Sequence, residues 1–152
     1  MLHFDAKAPT YQAFFSHVAD VLATPDVPTE IMTHDQLVFG SDEEKAIIKA
    51  IKAAFPNASH IFCYRHIEEN VRRHLTEVGT SISESKAILD LLKQCSDIET
   101  AADSETIEHK KASLMKYIRI HHAQLEDYFH QHVFEKINHN MMVSGVIACN
   151  KL

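Results

Sequence analysis

The stretch FGSDEEKAIIKAIKAAFPNASHIFCYRH, Phe39 to His66, decides how this chain is read. An apolar run, Leu37-Val38-Phe39-Gly40, ends at Ser41 and meets an acid, Asp42. Ser41 and Glu44 stand at the spacing of a capping box, which predicts a helix starting there. Ala46, Ile47, Ala50, Ile51 and Ala54 recur at helical spacing and supply its apolar face. Pro56 stops it, because proline disfavours helical geometry at Phe55. SHIFCY then reads as a second strand. A helix follows, with Ile67, Val71, Leu75 and Val78 inward and Gly79 as its C-terminal stop. Strand, helix, strand, helix over residues 37–79 is a βαβα unit, hence a parallel α/β arrangement.

Outward from this unit the pattern changes. Before it, MLHF is apolar enough for a short strand. Tyr11, Phe14, Phe15, Val18, Val21 and Leu22 predict a helix over 10–23, and TPDVPTE is a proline-broken loop. After Gly79, Ile82, Ala87, Ile88, Leu91 and Leu92 mark another helix. A polar connection, SDIETAADSE, leads into a long helical pattern from about Ile107 to Met142, with a break near His130. Leu114, Tyr117, Ile118, His121, Leu125, Tyr128, Phe129 and Val133 form its apolar stripe. SGVIACNKL reads as the start of a further strand. Two or three strands make a small sheet, so the pattern reads as part of a larger fold.

Composition narrows the class. The 152 residues are 45% hydrophobic and 24% charged, ordinary for a globular domain, and no apolar run approaches the roughly 20 residues of a membrane span. MLHFDAKAPTYQ lacks the basic start and apolar centre of a secretion signal. Cys63, Cys95 and Cys149 are odd in number and lack framework spacing, which points to reduced thiols in the nucleus or cytoplasm. A net charge of −6 is the wrong sign for a stand-alone nucleic-acid binder. Any contact with DNA must come from a local patch or a missing neighbour. Arg65, Arg72, Arg73 and His74 form the one compact basic cluster, and Glu68 four residues before Arg72 neutralises part of it.

The run from Phe39 to Leu75 resembles the transposase domain of Mutator-like elements, the MULE family. The resemblance rests on Ser41, Asp42 and Glu44 after an apolar strand; on Ala46 and Ile47; on Phe55, Pro56 and Ala58; and on Cys63, His66 and Asn70. The start, LHFDAKAPTYQAFFSHV, is similar to the strand and helix that precede this segment in the family. The resemblance implies a ribonuclease-H-like fold with a DDE triad, interrupted by a helical insertion. The fold class it implies is α/β, a partial ribonuclease-H-like sheet over residues 1–80, followed by an all-helical insertion over 81–152, mostly helical overall. It makes Asp42 the second catalytic carboxylate. The first Asp is expected upstream of the position matching Met1, and the closing Glu beyond Leu152. Asp5 stands on the wrong strand to replace the former. The chain then resembles the middle of a transposase domain, without nuclease activity of its own. The implied ions are Mg²⁺ or Mn²⁺ and the implied partner is DNA, with homo-oligomer formation left open. The alternative is a domesticated, non-catalytic DNA- or protein-interaction module, with Zn²⁺ stabilising it in one version.

Each candidate residue has a plainer reading. An acid at a helix start commonly serves the helix dipole and unpaired amides. DDE chemistry needs two divalent ions about 3.5–4 Å apart, which one carboxylate cannot place. Cys63 and His66 stand at half of a zinc-site spacing, and a buried thiol beside a first-turn histidine is the alternative. Twelve histidines raise the prospect of metal binding or pH response. His122, Glu126 and His130 recur every four residues; they read as a solvated helix face, with metal binding as the other option.

Overall fold

A computed structural model describes residues 8–23, 37–95, 104–140 and 143. It divides into two units, one holding the described residues up to Phe62 and the other spanning Cys63–Met142. The described residues are mostly helical, with one small parallel sheet. The strands expected at MLHF and SGVIACNKL lie outside them, as does Cys149. No described helix is long and apolar enough to cross a membrane.

In the first unit, helix α1 (Ala8–Leu22) precedes strand β1 (Val38–Ser41), helix α2 (Lys45–Ala54) and strand β2 (Ser59–Phe62). The strands are parallel, with Val38 opposite Ser59 and Ser41 opposite Phe62. The Ser59 amide donates to the Leu37 carbonyl (2.8 Å), carrying the ladder one step further. Phe55 makes the last helical hydrogen bond of α2, to Ile51 (2.8 Å). Its backbone then leaves helical geometry (φ −133°, ψ 75°), as the following proline requires.

The core of this unit is aromatic. Phe39 meets Phe15 edge-on at 5.8 Å and Phe55 at 4.9 Å, over buried Ala50 and Ile51. Phe14 and Val21 are exposed, contrary to the inward positions expected of them. Tyr11, Phe15, Val18 and Leu22 fall along the centre of the apolar stripe, and Phe14 and Val21 lie roughly 60–80° to one side. The helix packs on α2 with the centre and leaves that edge to solvent.

In the second unit, α3 (Tyr64–Glu77) packs on α4 (Ile82–Cys95), and α4 on α5 (Ser104–His121). Gly79 takes φ 76°, and the Thr80 and Gly79 amides reach back to the Leu75 (2.9 Å) and Thr76 (3.1 Å) carbonyls. This is a Schellman stop, as the glycine predicts. Ile67, Val71 and Leu75 are buried as expected, whereas Val78, the C-cap residue also expected inward, is exposed. Ile82, expected inward too, is 91% exposed. It stands six residues before Ile88, which places it roughly 120° off the face that Ile88 and Leu92 bury.

The α-helix of the long pattern ends at His121, and a second irregularity spans the expected point near His130. A 3₁₀ turn (Ala123–Leu125) and a turn of α-helix (Glu126–Tyr128) lead into a π-helical segment, Phe129–Phe134, before residues 135–140 return to α-helix. Phe129 and Phe134 are both buried, with rings 6.1 Å apart. Five residues span about 140° on an α-helix, so the wider π turn is what brings both rings to one side. Buried Lys111 ties α5 to this last run through Asn138, and its ammonium also meets Glu108 at 2.6 Å.

Candidate functional site

The carboxyl end of a strand in a parallel sheet is where an α/β fold gathers ligands, because strand and helix diverge there. Asp42 occupies that position, one residue after β1, and is half-buried. Its Oδ1 accepts the Glu44 amide at 3.1 Å. The acid therefore does what short polar side chains do at helix entrances: it satisfies an amide two residues on. The capping box expected between Ser41 and Glu44 is absent. Glu44 is itself the N-cap, with no side-chain cap bond, and α2 begins only at Lys45.

Ser41 and Glu44 are held elsewhere. Ser41 Oγ lies 2.7 Å from Nε2 of buried His60, and the hydroxyl also reaches the Asp42 carbonyl at 2.9 Å. Cross-strand register explains the first contact. Phe39 stands opposite His60, so Ser41, two residues on, shares its face. Glu44 Oε2 accepts the Tyr11 hydroxyl at 2.8 Å, tying α1 to the start of α2. That bond, with the negative charges of Glu44 and Asp42 nearby, raises the Tyr11 phenol to about 12. Tyr11 thus remains a neutral donor.

These residues do not fit the two-ion centre that DDE chemistry uses. Of the acids that follow β1, Asp42 has its Oδ1 engaged by backbone and Glu44 has its Oε2 engaged by Tyr11. Among the described residues no group of three or more His, Cys, Asp or Glu side chains could hold a metal ion. Cys63 is the N-cap residue of α3, half-buried, with its carbonyl accepting the His66 (3.1 Å) and Ile67 (3.2 Å) amides. His66 is an exposed first-turn residue. The pair has the spacing of two zinc ligands, and no described third donor joins it.

The basic cluster on α3 is internally compensated. Arg65 pairs with Glu69 (3.0 Å), Arg72 with Glu68 (2.7 Å), and Arg73 donates to Asn70 (2.8 Å). A groove of about 590 Å³ between α3 and α4 carries Arg72, Lys86 and Lys93 beside Glu68 and Asp90, a mixed lining. His122, expected on a solvated face, is buried, whereas His121, expected on the apolar stripe, is exposed. The helix ends at His121, and His122 takes a non-helical backbone (φ −148°, ψ 52°), so helical spacing no longer decides which ring turns inward. Glu126 pairs with Arg119 at 2.6 Å, and this bond lowers the carboxyl and raises the guanidinium.

Sequence reading also missed the Ser41–His60 pair. The signal was period-two spacing along two parallel strands, legible once their register is known.

Residues 4–70 match the model of the MULE transposase domain. No curated protein and no solved structure matches the chain. The matched segment takes in the βαβ unit with Asp42 and ends at Asn70 in α3, the last residue of the Cys63–His66–Asn70 pattern. Residues 4–70, less than half of the chain, are thus similar to that domain, which is consistent with a partial MULE transposase domain.

Proposed function

We propose that the chain carries the middle of a MULE-type, ribonuclease-H-like transposase domain, whose parental activity is DNA cleavage and strand transfer, and that it does not cut DNA by itself. The observation that carries this reading is Asp42, the residue after a parallel strand, inside the segment that matches the family. In the complete domain, divalent ions would supply the positive charge that stabilises the attacking and leaving oxygens. Asp42 contributes one carboxylate to that purpose. Tyr11, Glu44, Ser41 and His60 fix the chain on either side of it. The partner of the complete domain would be DNA, in the nucleus or the cytoplasm.

Replacing the corresponding segment of an active MULE transposase by residues 4–70 tests the assignment. Excision should persist with Asp42 and be lost with Asp42→Asn. Excision by the Asp42→Asn chimera would remove Asp42 from the catalytic set.

A second reading, a non-catalytic DNA- or protein-interaction module, draws on Ile82 and Ile120, which are 91% and 65% exposed on the helical unit. Soluble, monodisperse behaviour of Ile82→Ser and Ile120→Ser variants, with partner binding unchanged, would remove it.

A further inference from the structure

The turn that delivers Asp42 is anchored from the neighbouring strand. His60 of β2 is 8% exposed, and its ring meets Phe62 edge-on with centroids 5.1 Å apart. Its Nε2 stands 2.7 Å from Ser41 Oγ, and the Ser41 hydroxyl donates to the Asp42 carbonyl at 2.9 Å. A serine hydroxyl has one proton to give. Because that proton goes to the carbonyl, Nε2 carries a proton of its own and donates to Ser41 Oγ. The result is a directed chain, Nε2–H to Oγ–H to carbonyl, in which each bond polarises the next.

The carboxylate of the same residue is held separately. Asp42 Oδ1 accepts the Glu44 amide at 3.1 Å, whereas Oδ2 makes no hydrogen bond to a described residue. The backbone of Asp42 is thus tied to β2, and one carboxylate oxygen to the entrance of α2. The other oxygen is left open, with its direction set by the two ties.

We propose that His60 is a positioning residue for Asp42 and acts through the Ser41 hydroxyl. This rests on the reading of Asp42 as one carboxylate of a larger catalytic set, and it adds the groups that aim that carboxylate. Both anchors belong to paired strands, which hold a site more precisely than loops do. The precision matters, because a misplacement of about 1 Å at a reacting group costs on the order of 100-fold in rate. A bond that merely stapled β1 to β2 would affect stability and leave the aim of Asp42 unchanged.

The test compares His60→Leu, which removes the donor, with His60→Gln, whose amide N–H takes the place of Nε2–H. In the full chain, hydrogen exchange at the Glu44 amide reports whether Asp42 keeps its place. Exchange should be roughly 3–10-fold faster in His60→Leu and near wild type in His60→Gln. In the active transposase carrying residues 4–70, His60→Leu should lower excision by about 10–100-fold, and His60→Gln should restore most of it. Unchanged Glu44 exchange in His60→Leu overturns the proposal, as does a His60→Gln variant that loses excision alongside it. Should His60→Leu unfold the full chain, Ser41→Ala against Ser41→Thr makes the same comparison, since threonine keeps the hydroxyl. Excision that Asp42→Asn abolishes and His60→Leu leaves intact overturns the positioning role alone. Excision that survives Asp42→Asn overturns the reading beneath it, and the role with it.

Discussion

The hydroxyl of Ser41, the last residue of β1, lies 2.7 Å from Nε2 of His60 in β2. The pair bridges the two strands on the face that also carries Phe39, at the point where the chain delivers Asp42. His60 is buried, so Ser41→Ala leaves that nitrogen without this partner, at a cost of roughly 1–3 kcal/mol. Urea unfolding of the variant checks the value.

Asp42 has a structural role that separates from any chemical one. Asp42→Ala removes the acceptor for the Glu44 amide and should cost about 0.5–2 kcal/mol, in the range of a lost helix cap. Asp42→Asn keeps an oxygen at that place and should cost much less. Equal losses in the two variants would mean that charge, and not the hydrogen bond, matters here.

Tyr11 should be a late-titrating phenol. The neutral hydroxyl donates to Glu44 and the phenolate cannot, so the contact's contribution is present below the ordinary tyrosine range and is lost as pH rises toward about 12. Ultraviolet titration should find a tyrosine ionising near there. Glu44→Ala, which removes the acceptor, should bring it down toward the usual range.

The two described cysteines should react very differently. Cys95 is buried, and burial pushes its thiol up to about 11, whereas Cys63 is half-buried at a helix start. At mildly alkaline pH, alkylation mapped by mass spectrometry should modify Cys63 first. Cys95 should follow only on unfolding, since the thiolate is the reactive form.

Glycine positions divide in the same manner. Gly79→Ala forces a side chain into φ 76° and should destabilise by about 1–2 kcal/mol, although nothing crowds the added carbon. Gly40→Ala meets Ile61 at an ordinary 3.7 Å and should be tolerated. Unfolding midpoints of the two variants make the comparison.

Much of the periodic pattern was legible in sequence, as were the stops before Pro56 and at Gly79, and the other termini of elements were not. Ile67, Val71 and Leu75 announce their face because nothing interrupts the helix that carries them. Ser41 and Glu44 have the spacing of a capping box, yet the box forms at Ser81 and Glu84. Ser41 has a cross-strand histidine to bind and Glu44 has Tyr11, both distant in sequence. His121 and His122 exchange their expected environments because α5 stops between them, and a stop set by packing leaves no periodic mark. The strand-end position of Asp42 and the Cys63–His66–Asn70 spacing were legible in the sequence, and both lie inside the segment that the family model matches. The residues that hold Asp42's neighbours come from register and from α1, which local spacing does not encode.

The central claim is that Asp42 is one carboxylate of a larger catalytic set and is insufficient for cleavage by itself. Incubating the purified chain and its Asp42→Ala variant with supercoiled DNA and Mg²⁺ or Mn²⁺ tests it most directly. The account predicts no ion-dependent nicking by either protein. Ion-dependent nicking by the wild type that disappears in Asp42→Ala would contradict it.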